Sequence, residues 1–221
     1  MTSAYSDGSD PHPPVGGSLV FLLLSLPVGI AGFVSVVTLA TLGLATVIVW
    51  AGLPVLALLI LGARVAARLE RVRVHGLLSV YVATPYRPIP AAGLRARWRA
   101  RLADAATWRD LAYFVLLFPI GIAEFVVVVT LWSAGIGLAA LPVYFQSLPP
   151  DAHVFGYFSP GTFVETLPWA ALGVLVIAVS IAATRSMGIL HARYARAVLG
   201  PGRRARLLAE KHDPTPLSTV A

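Results

Sequence analysis

No charged residue occurs between Leu19 and Ala63. A single helix of about 45 residues would be nearly 70 Å long. The hydrocarbon core of a bilayer is only about 30 Å thick and is crossed by about 20 residues. The run therefore predicts two helices joined by a tight turn near Thr41, Leu42 and Gly43, with Arg64 marking the return to the starting face. A further apolar stretch covers residues 111 to 134. A shorter one covers 167 to 184 and is closed by Arg185.

The expected fold is an all-α membrane protein with four transmembrane helices, at about 19–40, 44–63, 111–134 and 167–184. They form a domain over 18–200. A polar, Pro- and Gly-rich tail over 1–17 reads as disordered, and a basic, Pro-containing tail follows over 201–221. Composition agrees: 12% of the residues are charged and 57% hydrophobic, whereas soluble domains carry about 25% charge.

The net charge of +7 suggests nucleic acid until its distribution is considered. The Lys and Arg residues lie either between Arg64 and Arg109 or between Arg185 and Lys211, and both clusters abut apolar segments. That is the pattern of cytoplasmic segments flanking membrane spans. It places both termini inside, in a multi-pass protein of the plasma membrane, with membrane lipids and no nucleic acid among its partners. Cysteine is absent, so disulfides and thiolate metal sites are excluded. The histidines His12, His75, His153, His191 and His212 show no ligand spacing, and no metal or other cofactor is expected.

Residues 19–43 align with 111–135 without a gap. Leu26-Pro27-Val28-Gly29-Ile30-Ala31-Gly32-Phe33 matches Phe118-Pro119-Ile120-Gly121-Ile122-Ala123-Glu124-Phe125. A shared Pro-x-Gly-Ile-Ala-x-Phe is improbable by chance and reads as a duplicated helical hairpin, its copies parallel. Pro27 and Pro119 each remove a backbone donor and are candidate kinks. Gly29 and Gly121 beside them permit close helix contact. A packing kink is the plainer reading, a gated hinge the sharper one.

Glu124 is the one ionisable residue well inside an apolar span. Charge is costly there, and such residues turn into the bundle and are often functional. Glu124 is therefore a candidate switch or ligand, against the alternative of a neutral, hydrogen-bonded carboxylic acid. The segment between the third and fourth spans has no Lys or Arg, which places it outside. Its Tyr144, Phe145, His153, Phe155, Tyr157 and Phe158 are a candidate sensing surface for an apolar or cationic ligand, or a lid lying on the bilayer. In the loop over 64–110, Arg64 to Leu78 continues the second helix, and the prolines around Tyr86 favour extended backbone. From Leu94 to Ala106, Leu94, Trp98 and Leu102 share one helical face, with Arg95, Arg97, Arg99 and Arg101 on the rest. This amphipathic helix, with Trp108 and Arg109, is a candidate contact for anionic lipid or for a partner. No phosphate loop, catalytic triad or paired carboxylate pattern is present, so no catalytic residue is assigned and an enzyme is not expected.

Several segments together carry a family resemblance. They are Leu26-Pro27-Val28-Gly29, Trp50-Ala51-Gly52-Leu53-Pro54-Val55, Ala67-Arg68-Leu69-Glu70-Arg71, Pro85-Tyr86-Arg87-Pro88 and Thr107-Trp108-Arg109-Asp110-Leu111-Ala112-Tyr113. Over about 19–199 the chain resembles the actinobacterial "putative sensor" membrane domain, which is commonly joined to two-component histidine kinases and also occurs alone. The resemblance implies a sensor module, here without a catalytic output of its own. It would pass a signal to a separate kinase or other signalling protein. A second copy of the chain, as a homodimer, is a further candidate partner. It brings no defined ligand or binding-residue set. The other readings are a small transporter or lipid-binding permease component working as an oligomer, and a structural scaffold.

Overall fold

A computed structural model describes residues 13–86, 93–147 and 161–202. Most of these residues are helical, with no strand among them. Four helices are long and apolar enough to cross a membrane: α1 (Val15–Ala45), α2 (Gly52–Leu78), α4 (Ala105–Ala139) and α6 (Phe163–Leu199). Two short helices accompany them, α3 (Leu94–Ala103) and α5 (Leu141–Tyr144).

The helices outrun the expected spans. Val15, Gly16 and Gly17, assigned to the tail, already belong to α1. Residues 41–43 do not turn: α1 continues to Ala45, and the reversal occupies 46–51. Thr46 stops α1 by donating its hydroxyl to the Leu42 carbonyl. A turn of 3-10 helix follows, and Trp50, at φ 61°, adopts the left-handed conformation. A bulky residue is rare there. The hydrogen bonds from Trp50 N to Val47 O and from Gly52 N to Thr46 O, both 3.0 Å, hold it in place. Gly43, expected in the turn, instead lets Leu56 of α2 pack against α1. The amphipathic helix is likewise shorter than 94–106: it ends at Ala103, and Ala105 and Ala106 open α4.

Val28–Gly29 and Ile120–Gly121 bring α1 and α4 together backbone to backbone. A Cβ on Gly29 would lie 2.9 Å from the Leu117 carbonyl oxygen, and one on Gly121 would lie 2.7 Å from that of Ser25. Ser25 and Leu117 are themselves matched in the sequence alignment, so the contact is reciprocal. Phe33 stacks on Phe118 beside it, centroids 4.7 Å apart. Both helices run unbroken through Pro27 and Pro119. Small residues also seat α6: Gly173 meets the backbone of Leu138 and Ala139, and Gly188 meets Ser18. Without a hydrophobic drive between helices in lipid, close approach of this kind is what holds a bundle together.

At the end of α2 Ser79 is left-handed, φ 56°, and reverses the chain. Residues 80–86 then run back along α2 with Val80 and Val82 buried and Tyr81 exposed, the alternation of extended backbone. Seven extended residues cover about 23 Å, and the fourteen helical steps from Leu78 back to Arg64 cover about 21 Å. Tyr86 is thereby delivered beside Arg64.

Replacing Gly29 or Gly121 by Ala should lower stability by about 1–3 kcal/mol through overpacking. Thermal unfolding followed by circular dichroism in detergent would measure it. Gly62→Ala, inside α2 where an added Cβ meets nothing within 4 Å, should not lower the midpoint and should raise it slightly.

Candidate functional site

The basic residues of α2 occupy two faces. Arg64, Arg68 and Arg71 follow one another at helical spacing and surround the Tyr86 ring, at 4.8, 5.7 and 5.1 Å from its centroid. Glu70 and Arg73 point instead toward α1, α4 and α6.

On the first face, Arg64 donates to Thr107 Oγ1 at 2.6 Å and pairs with Asp104 at 3.1 Å. Asp104 also caps α4 by accepting from Ala106 N. Arg71, only 5% exposed, spends its whole guanidinium. It pairs with Asp110 at 3.1 Å, donates to Tyr86 Oη at 3.1 Å, and donates from Nε and Nη2 to the carbonyl of Leu199. Leu199 ends α6, so Arg71 satisfies a carbonyl that the helix cannot. The Tyr86 hydroxyl donates to the second oxygen of Asp110 at 2.7 Å. Burial pushes the Tyr86 phenol above its ordinary 10.0, with the Arg71 hydrogen bond opposing. It stays neutral and donates throughout the physiological range.

Four consecutive side chains at the start of α4 each close one joint. Thr107 donates to the Arg101 carbonyl, and Trp108 Nε1 to the Leu102 carbonyl. Arg109 donates to the carbonyl of Ala197, and Asp110 receives Arg71 and Tyr86. Arg109, expected to face lipid or a partner, is thus committed to α6.

On the second face a continuous polar chain links all four long helices. Arg73 donates to Glu70 at 2.9 Å and to Ser25 of α1 at 3.3 Å. Its cation lies 4.2 Å above the Phe21 ring, where two unpaired donor nitrogens gain a cation–π partner. The Tyr113 hydroxyl donates to Glu70 at 2.9 Å and lies 3.2 Å from His191 Nε2. His191 Nδ1 is 2.6 Å from Glu124 Oε1.

The proton inventory follows from what each group can give. The single proton of Tyr113 goes to Glu70, so His191 Nε2 must carry a proton to give Tyr113. In the arrangement that satisfies each of these bonds, one proton lies between Nδ1 and Oε1. Without it two lone pairs would face each other at 2.6 Å, and a negative charge would be buried uncompensated. Around this pair Glu124 Oε2, Tyr194 Oη and Ser18 Oγ are buried without a hydrogen-bond partner. Glu124 is therefore not isolated in its helix. Its partner lies on α6 beyond Arg185, and both join the polar chain of the basic end.

His191, Tyr113, Glu70 and Arg73 could not be picked out beforehand. Nothing in their spacing shows that three helices bring them together, and His191 reads in sequence as one scattered histidine among five. Of the expected aromatic sensing surface, Tyr144 donates to the Gly137 carbonyl and Phe145 lies 6.5 Å from Phe163. His153, Phe155, Tyr157 and Phe158 lie outside the described residues, as does most of the tail over 201–221. Arg95 and Arg99 are exposed on α3, and Arg101 lies over the Trp98 ring. Among the described residues no group of three or more His, Cys, Asp or Glu could hold a metal ion.

Compared with known families, the chain matches the family described as "Putative sensor" over residues 21–199. No curated protein and no solved structure matches it.

Removing one partner of the buried Arg71–Asp110 pair should cost about 3–5 kcal/mol. Arg71→Met and Asp110→Leu together should cost much less than the sum of the single changes. A double-mutant cycle on unfolding in detergent measures the coupling, and additive losses would show that the two do not act as a pair.

Proposed function

The chain belongs to the "Putative sensor" family, and on that premise we propose that it is a signal-sensing module of the plasma membrane that acts on a separate histidine kinase or other regulator. The basic end is cytoplasmic, since Lys and Arg concentrate there. The observation that carries the reading is the polar chain from Ser25 through Arg73, Glu70, Tyr113 and His191 to Glu124. It draws one side chain or more from each of the four long helices.

A sensor needs two arrangements that the signal distinguishes energetically. The Glu124–His191 pair supplies a bistable element, because its one proton is held only while α4 and α6 keep their register. A signal that slides or rotates α6 breaks the shared proton bond. The same movement pulls the Leu199 carbonyl from Arg71 and the Ala197 carbonyl from Arg109, so a change among the helices reaches the arginine-rich face where a partner would dock. The expected parallel arrangement of the two copies does not hold: Ser25, Gly29 and Gly32 of α1 meet Gly121, Leu117 and Phe114 of α4, so these two central helices pack antiparallel.

A small transporter working as an oligomer is the second reading, favoured by the unpartnered Glu124 Oε2 and Tyr194 Oη, which would line a proton path.

Purification of the full chain from native membranes in mild detergent, with bound proteins identified by mass spectrometry, tests the proposal. A histidine kinase or response regulator should be recovered. Glu124→Gln should preserve the fold while changing that partner's phosphorylation several-fold. Recovery of copies of this chain alone, together with proton flux in liposomes abolished by Glu124→Gln, would overturn sensing in favour of transport.

A further inference from the structure

A groove of about 690 Å³ opens between the α1–α2 hairpin and the corner where α3 meets α4. That volume lies within the range of about 300–1,000 Å³ usual for ligand sites. Leu44 of α1, Leu53, Leu56 and Ile60 of α2, Trp98 of α3 and Trp108 of α4 form its walls, and every lining side chain is apolar or aromatic. Between helices of membrane-crossing length, such a surface is matched by a hydrocarbon chain.

What selects among lipids is α3. Its ten residues contain Arg95, Arg97, Arg99 and Arg101 and no carboxylate. Arg64, Arg71 and Arg73 each have an acidic partner, whereas no ion pair among the described residues involves an α3 arginine. Asp104, the acid nearest in sequence, is buried and committed to Arg64. The arginines are also held in place. Thr107 and Trp108 bind the carbonyls of Arg101 and Leu102 and so fix the corner. The guanidinium of Arg101 sits 5.1 Å from the Trp98 ring that lines the groove, so a cation stands at its mouth. Four uncompensated cations beside a hydrocarbon slot complement a molecule with an anionic head and an apolar tail.

We propose that this groove binds one anionic phospholipid, its acyl chains against α1 and α2 and its phosphate against the arginines of α3. The site is separate from the Glu124–His191 chain and does not depend on which signal the protein senses.

The test uses the full chain in detergent, titrated with phosphatidylglycerol or phosphatidylcholine carrying brominated acyl chains, with tryptophan fluorescence as readout. Phosphatidylglycerol should quench saturably near one lipid per chain, and phosphatidylcholine should need about tenfold more. Arg95→Gln, Arg97→Gln and Arg99→Gln together, all on exposed positions, should abolish the difference. Trp98→Phe with Trp108→Phe should remove the saturable phase, and Trp132→Phe should keep it. Equal quenching by the two lipids would overturn the proposal, as would an unchanged preference in the Gln variant. Displacement of the brominated lipid by inorganic phosphate, or loss of the saturable phase as the chain dimerises, would also overturn it, in favour of a free-anion site or a second copy as occupant.

Discussion

The buried guanidinium of Arg71 holds together the basic end of the bundle. It is the one group that touches the end of α6 through Leu199, the start of α4 through Asp110 and the returning segment through Tyr86. A cation removed from water is tolerable only when it is well partnered, and here one carboxylate, one phenol and one helix-terminal carbonyl reach all three of its nitrogens. Arginine, with a rigid fork of donors, can reach three directions at once; lysine, a point charge on a flexible stem, cannot. The left-handed Ser79 and the extended run to Tyr86 make sense only as the means of bringing a hydroxyl to this guanidinium.

The second polar chain has a different character. Arg73 and Glu70 neutralise each other, so Glu124 and His191 must settle their charge between themselves. The bond between them can be made with either group as donor, whereas in the Arg71 cluster the guanidinium always donates. The bundle thus combines a rigid joint with an adjustable one, both in direct contact with α6.

The membrane fold was legible because it follows from counting: runs without charge, divided by the thickness of a bilayer, give four long helices. Arg64 to Leu78 was legible as a helical continuation, and Pro85 as a break. The turn was misplaced because apolar residues carry no signal of where they bend; Gly43 looked like a hinge and serves as a packing notch for Leu56. Arg109 was read as a lipid or partner contact; its bond to the Ala197 carbonyl arises only from the approach of α6, and the side chain remains partly exposed. Glu124 was visible as an anomaly of charge, but its meaning depends on His191, 67 residues away. Local pattern does not encode that distance.

The reciprocal contact of Gly29 and Gly121 has a mechanical side. Two stiff helices touching at their main chains cannot slide past that point without a clash, whereas a change of angle can leave the main-chain contact itself intact. The contact behaves as a fulcrum. Spreading the two helices beyond it swings their opposite ends the other way, so displacement at one membrane face arrives at the other with reversed sign. The distances of Ala45 and Val15 from the crossing set the lever arms.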